Sequence, residues 1–352
     1  MSHVVTHTEN VSINLTLAPP PSSEDRFRNV LYLSSNHSGV NVYSGLSAAL
    51  TSPASDVRVA AAAYFGNQTR PGKFVVSGYA AAGVSLDASD FVSAIEGALN
   101  VQDFYLVTID SRASGDQQLL AAAIAGSATV TDHLLSKGHR LLAVGLTDIV
   151  PTAAYTNLNE RITLLYHDDT TNRDEVGWAA RVVNISPSVR SAPWDAPVKG
   201  GTSVTLAQGT SDRSNILNNG ANVGLPYGNE PYYVDPGQNV LGRPCHELVT
   251  ADWTHHELQQ RVISAKVARS LVGRKWPMNG EGQALIRSIV DGLVNDGVAA
   301  QHFAPGQYIY TNGTIDQSTQ TMGFSFQVQM LGSARLFVFD VELAREQIVA
   351  EV

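Results

Sequence analysis

Four short apolar runs, set among stretches with helical signals, constrain this chain more than any other feature. They are Val30–Leu33 (VLYL), Phe104–Ile109 (FYLVTI), Arg140–Leu146 (RLLAVGL) and Ile162–Tyr166 (ITLLY). Runs this short and continuously apolar read as strands buried on both faces, because a strand with one wet face alternates. Between and after them lie helix candidates. Asp87 or Ser89 caps one that runs to about Leu99 with Phe91 and Ile95 on one face, a second spans Asp116 to Leu135, and a third spans Asp174 to Val183. Val57–Phe65 and Lys73–Ser77 read as further strands framing a turn with Gly66 and Pro71-Gly72. Strands alternating with helices imply a parallel or mixed sheet covered by helices. The expected fold class is therefore α/β, a mixed sheet with flanking helices.

Both ends have a different period. In residues 11–17, Val11, Ile13, Leu15 and Leu17 alternate with polar residues, the pattern of a half-buried strand, which stops at Pro19-Pro20-Pro21. Prolines cannot continue a ladder and favour a stiff extended spacer. A strand set apart in this way needs a partner elsewhere in the chain or in another copy. Near the other end Phe324, Phe326, Val328 and Met330 alternate with polar residues, and after Gly332 so do Phe337, Phe339, Val341 and Leu343. That pair reads as a hairpin. Asp340 and Glu342 are the last strand's blocking charges, and they project from the sheet face rather than along its edge.

Residues 186–250 are rich in Pro, Gly, Asn and Ser, and an inter-domain region is expected near 186–200. Two helices follow. One runs from about Thr254 to Val272, with Asp252 as candidate cap and Leu258, Val262, Ala265 and Leu271 inward; the other runs from about Gly280 to Val298, with Leu285, Ile289 and Leu293 inward. The expected division is an extended arm (1–20), an α/β lobe (21–195), an α+β lobe (196–335) and a C-terminal strand and arm (336–352).

Composition removes whole classes of function. Net charge is −9, from 23 basic and 32 acidic residues, and sequence-independent nucleic-acid binding needs clustered cations. Five basic residues do gather within one late helix and its end: Arg261, Lys266, Arg269, Arg274 and Lys275. A solvated helix face is one reading, and a contact with an acidic partner is the other. Cys245 is the one cysteine, which rules out a disulfide framework and a thiolate zinc cluster. The N-terminus lacks the basic and apolar regions of a signal peptide, and no apolar run is long enough to span a membrane.

Catalytic motifs fail in turn. Gly66 to Lys73 (GNQTRPGK) imitates a phosphate loop but has one residue too many, and Phe74 stands where a Ser or Thr would bind magnesium. Gly280-Glu281-Gly282 lacks the third glycine of a dinucleotide fingerprint, holding Leu285 there. His246-Glu247 and His256-Glu257 lack the second histidine of a zinc helix, and His255 and His256 point apart on a helix. Cys245 beside His246 reads as a small buried thiol. His167-Asp168-Asp169 follows a strand, where α/β enzymes place chemistry. It is the basis of an alternative reading, a hydrolase or transferase. No catalytic residue, metal or cofactor is expected on the main reading.

One ordered series of motifs remains. Asn219-Gly220, Asn222 and Gly224 lead to Gly237, Asn239 and Gly242-Arg243-Pro244; then come Asp252-Trp253 at a helix start, Lys275-Trp276-Pro277, Gly280, the second helix and Ala304-Pro305-Gly306. This order resembles the tail sheath proteins of contractile-tailed bacteriophages, most strongly over about 215–306. Phe74–Gly78 is followed closely by the Phe91 helix and the Phe104 strand. That resembles a minimal form without the large inserted outer domain many such sheaths carry. The resemblance implies hexameric rings stacked helically around a tail tube, with baseplate and tail terminator proteins as further partners. It implies contraction that drives the tube through the host envelope, without nucleic-acid binding or membrane insertion. The location implied is the virion tail, with assembly in the host cytoplasm. The 21–195 lobe would lie outside and the 196–335 lobe inside as the assembly core. The arm strands (Val11, Ile13, Leu15, Leu17; Phe337, Phe339, Val341, Leu343) would add to neighbours' sheets.

Overall fold

A computed structural model describes residues 10–11, 24–68, 72–79, 86–125, 140–147, 161–169, 171–201, 209–227, 229–306, 308–316 and 321–331. In chain order the elements are β1 (Asn10–Val11), a 3-10 turn (Glu24–Arg28), β2 (Val30–Ser34), β3 (Val40–Tyr43), α1 (Leu46–Ala49), α2 (Ser55–Gly66), β4 (Phe74–Gly78), α3 (Ala88–Leu99), β5 (Leu106–Ile109) and α4 (Ser114–Ala125). They continue with β6 (Leu141–Leu146), β7 (Ile162–Tyr166), α5 (Asp174–Val183), β8 (Ala196–Pro197), α6 (Gly209–Asn218), β9 (Ala221–Tyr227), β10 (Glu230–Asp235), α7 (Cys245–Leu271), α8 (Gly280–Ala299), β11 (Ile309–Asp316) and β12 (Thr321–Gln327).

The expected mixed sheet is present. Nine strands run in the order β3-β4-β2-β5-β6-β7-β9-β10-β8. From β4 to β9 the neighbours are parallel. β3, β10 and β8 join antiparallel at the flanks. All residues of β2, β5, β6 and β7 are buried, which explains their unbroken apolar runs. One sheet face, with Val30, Tyr32, Phe74 and Leu106, packs under α2, α5 and the first half of α7. The other face, with Leu31, Leu33, Val107 and Val144, packs under α3 and α4.

Two local expectations change. Residues 57–65 are not a strand but most of α2. The four alanines Ala60–Ala63 favour helix, and Val57, Ala60, Ala61 and Tyr64 form its buried stripe. The loop-like 186–250 segment supplies β8, β9 and β10, so one hydrogen-bonded sheet runs across the boundary expected near residue 195. Buried Asn222 ties that region down, donating to the carbonyls of Leu164 (2.9 Å) and Gln238 (2.8 Å) and accepting from Gln238 N–H (2.8 Å). Among the described residues β12 pairs with β11, with Tyr310 opposite Phe326; residues 337–343, the expected second strand of the late hairpin, lie outside the described residues.

Both capped helices start where their sequence signals stand. Asp87 accepts from Ser89 N–H (2.7 Å) and Asp90 N–H (3.3 Å), while Asp90 accepts from Asp87 N–H (3.0 Å), a reciprocal capping box. Asn279 caps α8 through Glu281 N–H at 3.0 Å. The buried row of α8 is Ile286, Val290 and Leu293, one position round from Leu285 and Ile289.

Candidate functional site

Two surfaces carry the residues singled out for assembly: the small sheet that receives β1, and the α7–α8 pair. In the small sheet the order is β1-β12-β11. Val11 lies opposite Phe326 and Asn10 opposite Gln327, antiparallel. β12 thus has β11 on one edge and, at its last two residues, β1 on the other. Phe326 and Val328 are buried beneath this junction. Ile13, Leu15, Leu17, Phe337, Phe339, Val341 and Leu343 lie outside the described residues.

α7 begins at Cys245, nine residues before the expected Thr254, and Asp252 is no cap. It is buried, accepts from Tyr105 Oη at 2.7 Å and pairs with Arg161. The helix has 27 residues, roughly 40 Å by the 1.5 Å rise per residue. Its first half is sunk into the molecule through Leu248, Trp253 and Leu258. Its last two turns project. Val267, Leu271 and Val272 are 51%, 83% and 69% exposed, so Leu271, expected inward, faces out. Helical periodicity finds a stripe, but it does not reveal that among the described residues Val267 and Leu271 in the last turns stay exposed. The end is closed by Gly273 at φ +72, with Gly273 N–H bonded to Ser270 O (3.0 Å) and Arg274 N–H to Arg269 O (2.9 Å).

The five basic residues divide into two groups. Arg261 reaches Asp296 at 2.7 Å and Glu257 at 3.4 Å, and Arg269 reaches Glu281 at 3.3 Å, so both tie α7 to its own helix or to α8. Lys266, Arg274 and Lys275 are exposed and make no ion pair among the described residues. They flank the apolar ridge of Val267, Leu271 and Val272.

The His167 loop follows β7 as expected, but its groups serve the turn into α5. The buried His167 Nδ1 accepts from Asp169 N–H at 2.9 Å, and Nε2 lies 3.4 Å from the Asp174 carboxylate. Asp169 accepts from Thr171 N–H (2.8 Å) and Oγ1 (2.7 Å), and these bonds hold its carboxyl below the usual range. Asp168 and Asp169 are both exposed.

In an open α/β sheet, ligands bind where the strand order reverses, here outside the ends of β2 and β5. That crevice is filled by the chain's own side chains. Asp110 accepts from Ser35 N–H (2.8 Å), Ser35 Oγ (2.6 Å) and Tyr79 Oη (2.7 Å). Asp56 accepts from Ser34 Oγ at 2.7 Å, and Arg173 Nε donates to Tyr32 Oη at 3.1 Å. Burial pushes the Tyr79 phenol up, and Asp110 adds to the shift. Beside this network a cleft of about 370 Å3 lies between α2 and α5, lined by Val59, Ala63, Asn67, Asp174, Gly177 and Lys199. Among the described residues no group of three or more His, Cys, Asp or Glu is placed to hold a metal, and no helix is long and apolar enough to cross a membrane. Cys245 is a buried thiol 3.5 Å from Thr163 Oγ1.

No protein-family model matches the chain, and no curated protein sequence does. Solved structures do. The helical sheath of the anti-feeding prophage in its contracted state is 12% identical, covers 97% of this chain and 100% of its own, and superposes with a TM-score of 0.64. The sheath complex of an extracellular contractile injection system (PVC), also contracted, is 11% identical over 99% of both chains, with a TM-score of 0.59. A sheath tail protein from Listeria innocua is 12% identical, covers 89% of this chain and 94% of its own, and gives a TM-score of 0.60. The chain therefore has, nearly end to end, the α/β fold of these sheath proteins.

Proposed function

We propose that this chain is the repeating structural subunit of a contractile tail sheath. The observation that carries this reading is the coincidence of fold over 97% of the chain with a protein that forms a helical sheath. Two physical features support it. The crevice where an α/β enzyme would bind its ligand is filled by internal hydrogen bonds. The two assembly surfaces carry what polymerisation needs: a sheet edge that accepts an arm strand, and an apolar, basic-rimmed helix end.

On this reading the subunits form hexameric rings stacked around a tail tube, bounded by baseplate and terminator proteins. Contraction drives the tube through the host envelope, the polymer belongs to the virion tail, and assembly takes place in the host cytoplasm. The α7 end, with Lys266, Arg274 and Lys275, meets an acidic tube or neighbouring subunit. The arms bridge copies. Val11 pairs with Phe326 within one chain, and exchanging the strand with a neighbour keeps the same backbone bonds, the arrangement of a domain swap.

Negative-stain imaging of the purified protein tests the reading. Rings, tubes or polysheath are expected, and a single small closed oligomer at all concentrations would sink it. Arm exchange has its own test. Cysteines at Val11 and Phe326 in a Cys245→Ser background should give disulfide ladders of many subunits, whereas intrachain bonds alone would show that the arm folds back. Removal of residues 1–18 should leave a folded protein that no longer polymerises.

A further inference from the structure

Four of the ten histidines lie on α7 or against it: His246, His255, His256 and His302. Two of them, His256 and His302, are buried, and His256 is so in a way that suits only the neutral ring. His256 is 2% exposed, and neither ring nitrogen has a hydrogen-bond partner. Its ring meets Phe27 edge to face at 5.5 Å. From the 3-10 turn it faces Arg26, which is 4% exposed with Nε unpartnered. From the segment before β5 it faces Asp103, which is already engaged by Arg140 at 2.9 Å. From its own helix it faces His255. A proton on His256 would put a second buried cation beside Arg26, with the nearest carboxylate already paired.

His302 is the second. It stacks on Trp253 of α7 at 4.5 Å. Nε2–H donates to Pro187 O at 2.6 Å, so in the neutral ring Nδ1 accepts from Thr250 Oγ1 at 2.7 Å. Phe303 adjoins it, and Arg190 lines the same small cavity. Protonation would force the Thr250 hydroxyl to turn round and accept, and would leave the charge buried between Trp253 and Phe303. The opposite layer is different: α3 and α4 contain no histidine.

We propose that these two histidines form an acid-labile latch: protonating them unseats the first half of α7 from the sheet, while the parallel strands and the α3–α4 layer stay folded. Burial pushes His256 down to about 4 from an unfolded value of 6.5, with Arg26 and His255 acting in the same direction and Asp103 against. Burial also lowers His302, against the opposing Pro187 bond. A folded value below the unfolded one means that the seat is fully stable above about pH 6.5. It weakens as pH falls toward about 4, because the unseated form takes up protons that the seated form refuses. The latch also grips the 3-10 turn through Phe27, the first described element after β1, so acid loosens the place where the N-terminal segment joins the body. This inference holds whether or not the chain is a sheath subunit.

Hydrogen–deuterium exchange on the full chain, expressed as protection factors at pH 7.5 and 4.5, tests it. Amides of Leu248–Leu258 should lose at least tenfold in protection at the lower pH while those of β5 and β6 keep theirs. Unchanged α7 protection, or loss in step with β5 and β6, would overturn the latch. Replacing His256 by Leu should move the midpoint of the α7 transition about one pH unit lower. His256→Gln, closer in polarity, serves the same purpose if the leucine variant does not fold at neutral pH. An unmoved midpoint in the folded variant would remove His256 from the mechanism.

Discussion

The two halves of α7 share one backbone and differ in almost everything else. The first half, Cys245 to Leu258, carries Trp253, Asp252, His256 and Leu258, all buried. Two of its buried polar side chains are held from outside the helix: Asp252 by Tyr105 and Arg161, and Trp253 Nε1 by Ser188 Oγ at 3.2 Å. The second half and the turn after it show an apolar ridge and three basic residues that make no ion pair among the described residues. A helix that only held the domain together would have no reason to run two turns past its cover with leucine and valine facing water. The buried half therefore belongs to folding, and the projecting half is the one the proposed function assigns to association.

Substitutions should expose this division, and the largest effect falls in the buried half. Trp253→Ala removes a large side chain stacked on His302 and should cost about 4 kcal/mol of stability, read from urea unfolding. A loss below about 1 kcal/mol would mean that the first half is not a folding element. Asp252→Ala leaves Arg161 without its carboxylate in a buried site, and a loss of about 3 kcal/mol is expected from the same measurement. At the far end Gly273→Ala places a Cβ in open space at φ +72, so backbone strain acts alone and about 1 kcal/mol is expected in thermal unfolding. The pair Arg261→Glu and Arg269→Glu breaks partly exposed ion pairs and should change stability by about 1 kcal/mol or less while impairing polymer formation. The smallest stability effect belongs to Leu271→Ser, within about 0.5 kcal/mol, and yet it should reduce assembly seen by sedimentation. Normal polymer from that variant would assign the ridge to mere exposure.

Much of the fold was legible because burial on both faces leaves a plain mark. β2, β5, β6 and β7 stand at the four apolar runs, and Asp87 caps α3 through local bonds that need no distant partner. The strands after residue 195 were illegible for the opposite reason. β9 (ANVGLPY) contains Gly, Pro and Asn, and buried Asn222 is stabilised by carbonyls at Leu164 and Gln238 that only the folded sheet brings near. Residues 57–65 misled because an apolar run of strand length is also a helix stripe when alanines fill it.

For the candidate sites, the basic cluster was visible as composition, but its division was not. Arg261 and Arg269 are engaged by α8 residues between 12 and 35 positions away, and Lys266, Arg274 and Lys275 are not. The exposed ridge gave no warning at all, since Leu271 fits an inward helical stripe as well as Leu258 does. The histidine latch was equally hidden, because adjacent histidines on a helix look alike until one is seen to lie under Phe27.

By itself, then, the chain determined which segments could not stay in water and which local bonds would start its helices, since those depend on side-chain transfer and nearest neighbours. Only the tertiary structure decided which half of one helix is covered, which of five cations are paired and which histidines are buried, because each depends on groups brought together from distant parts of the chain.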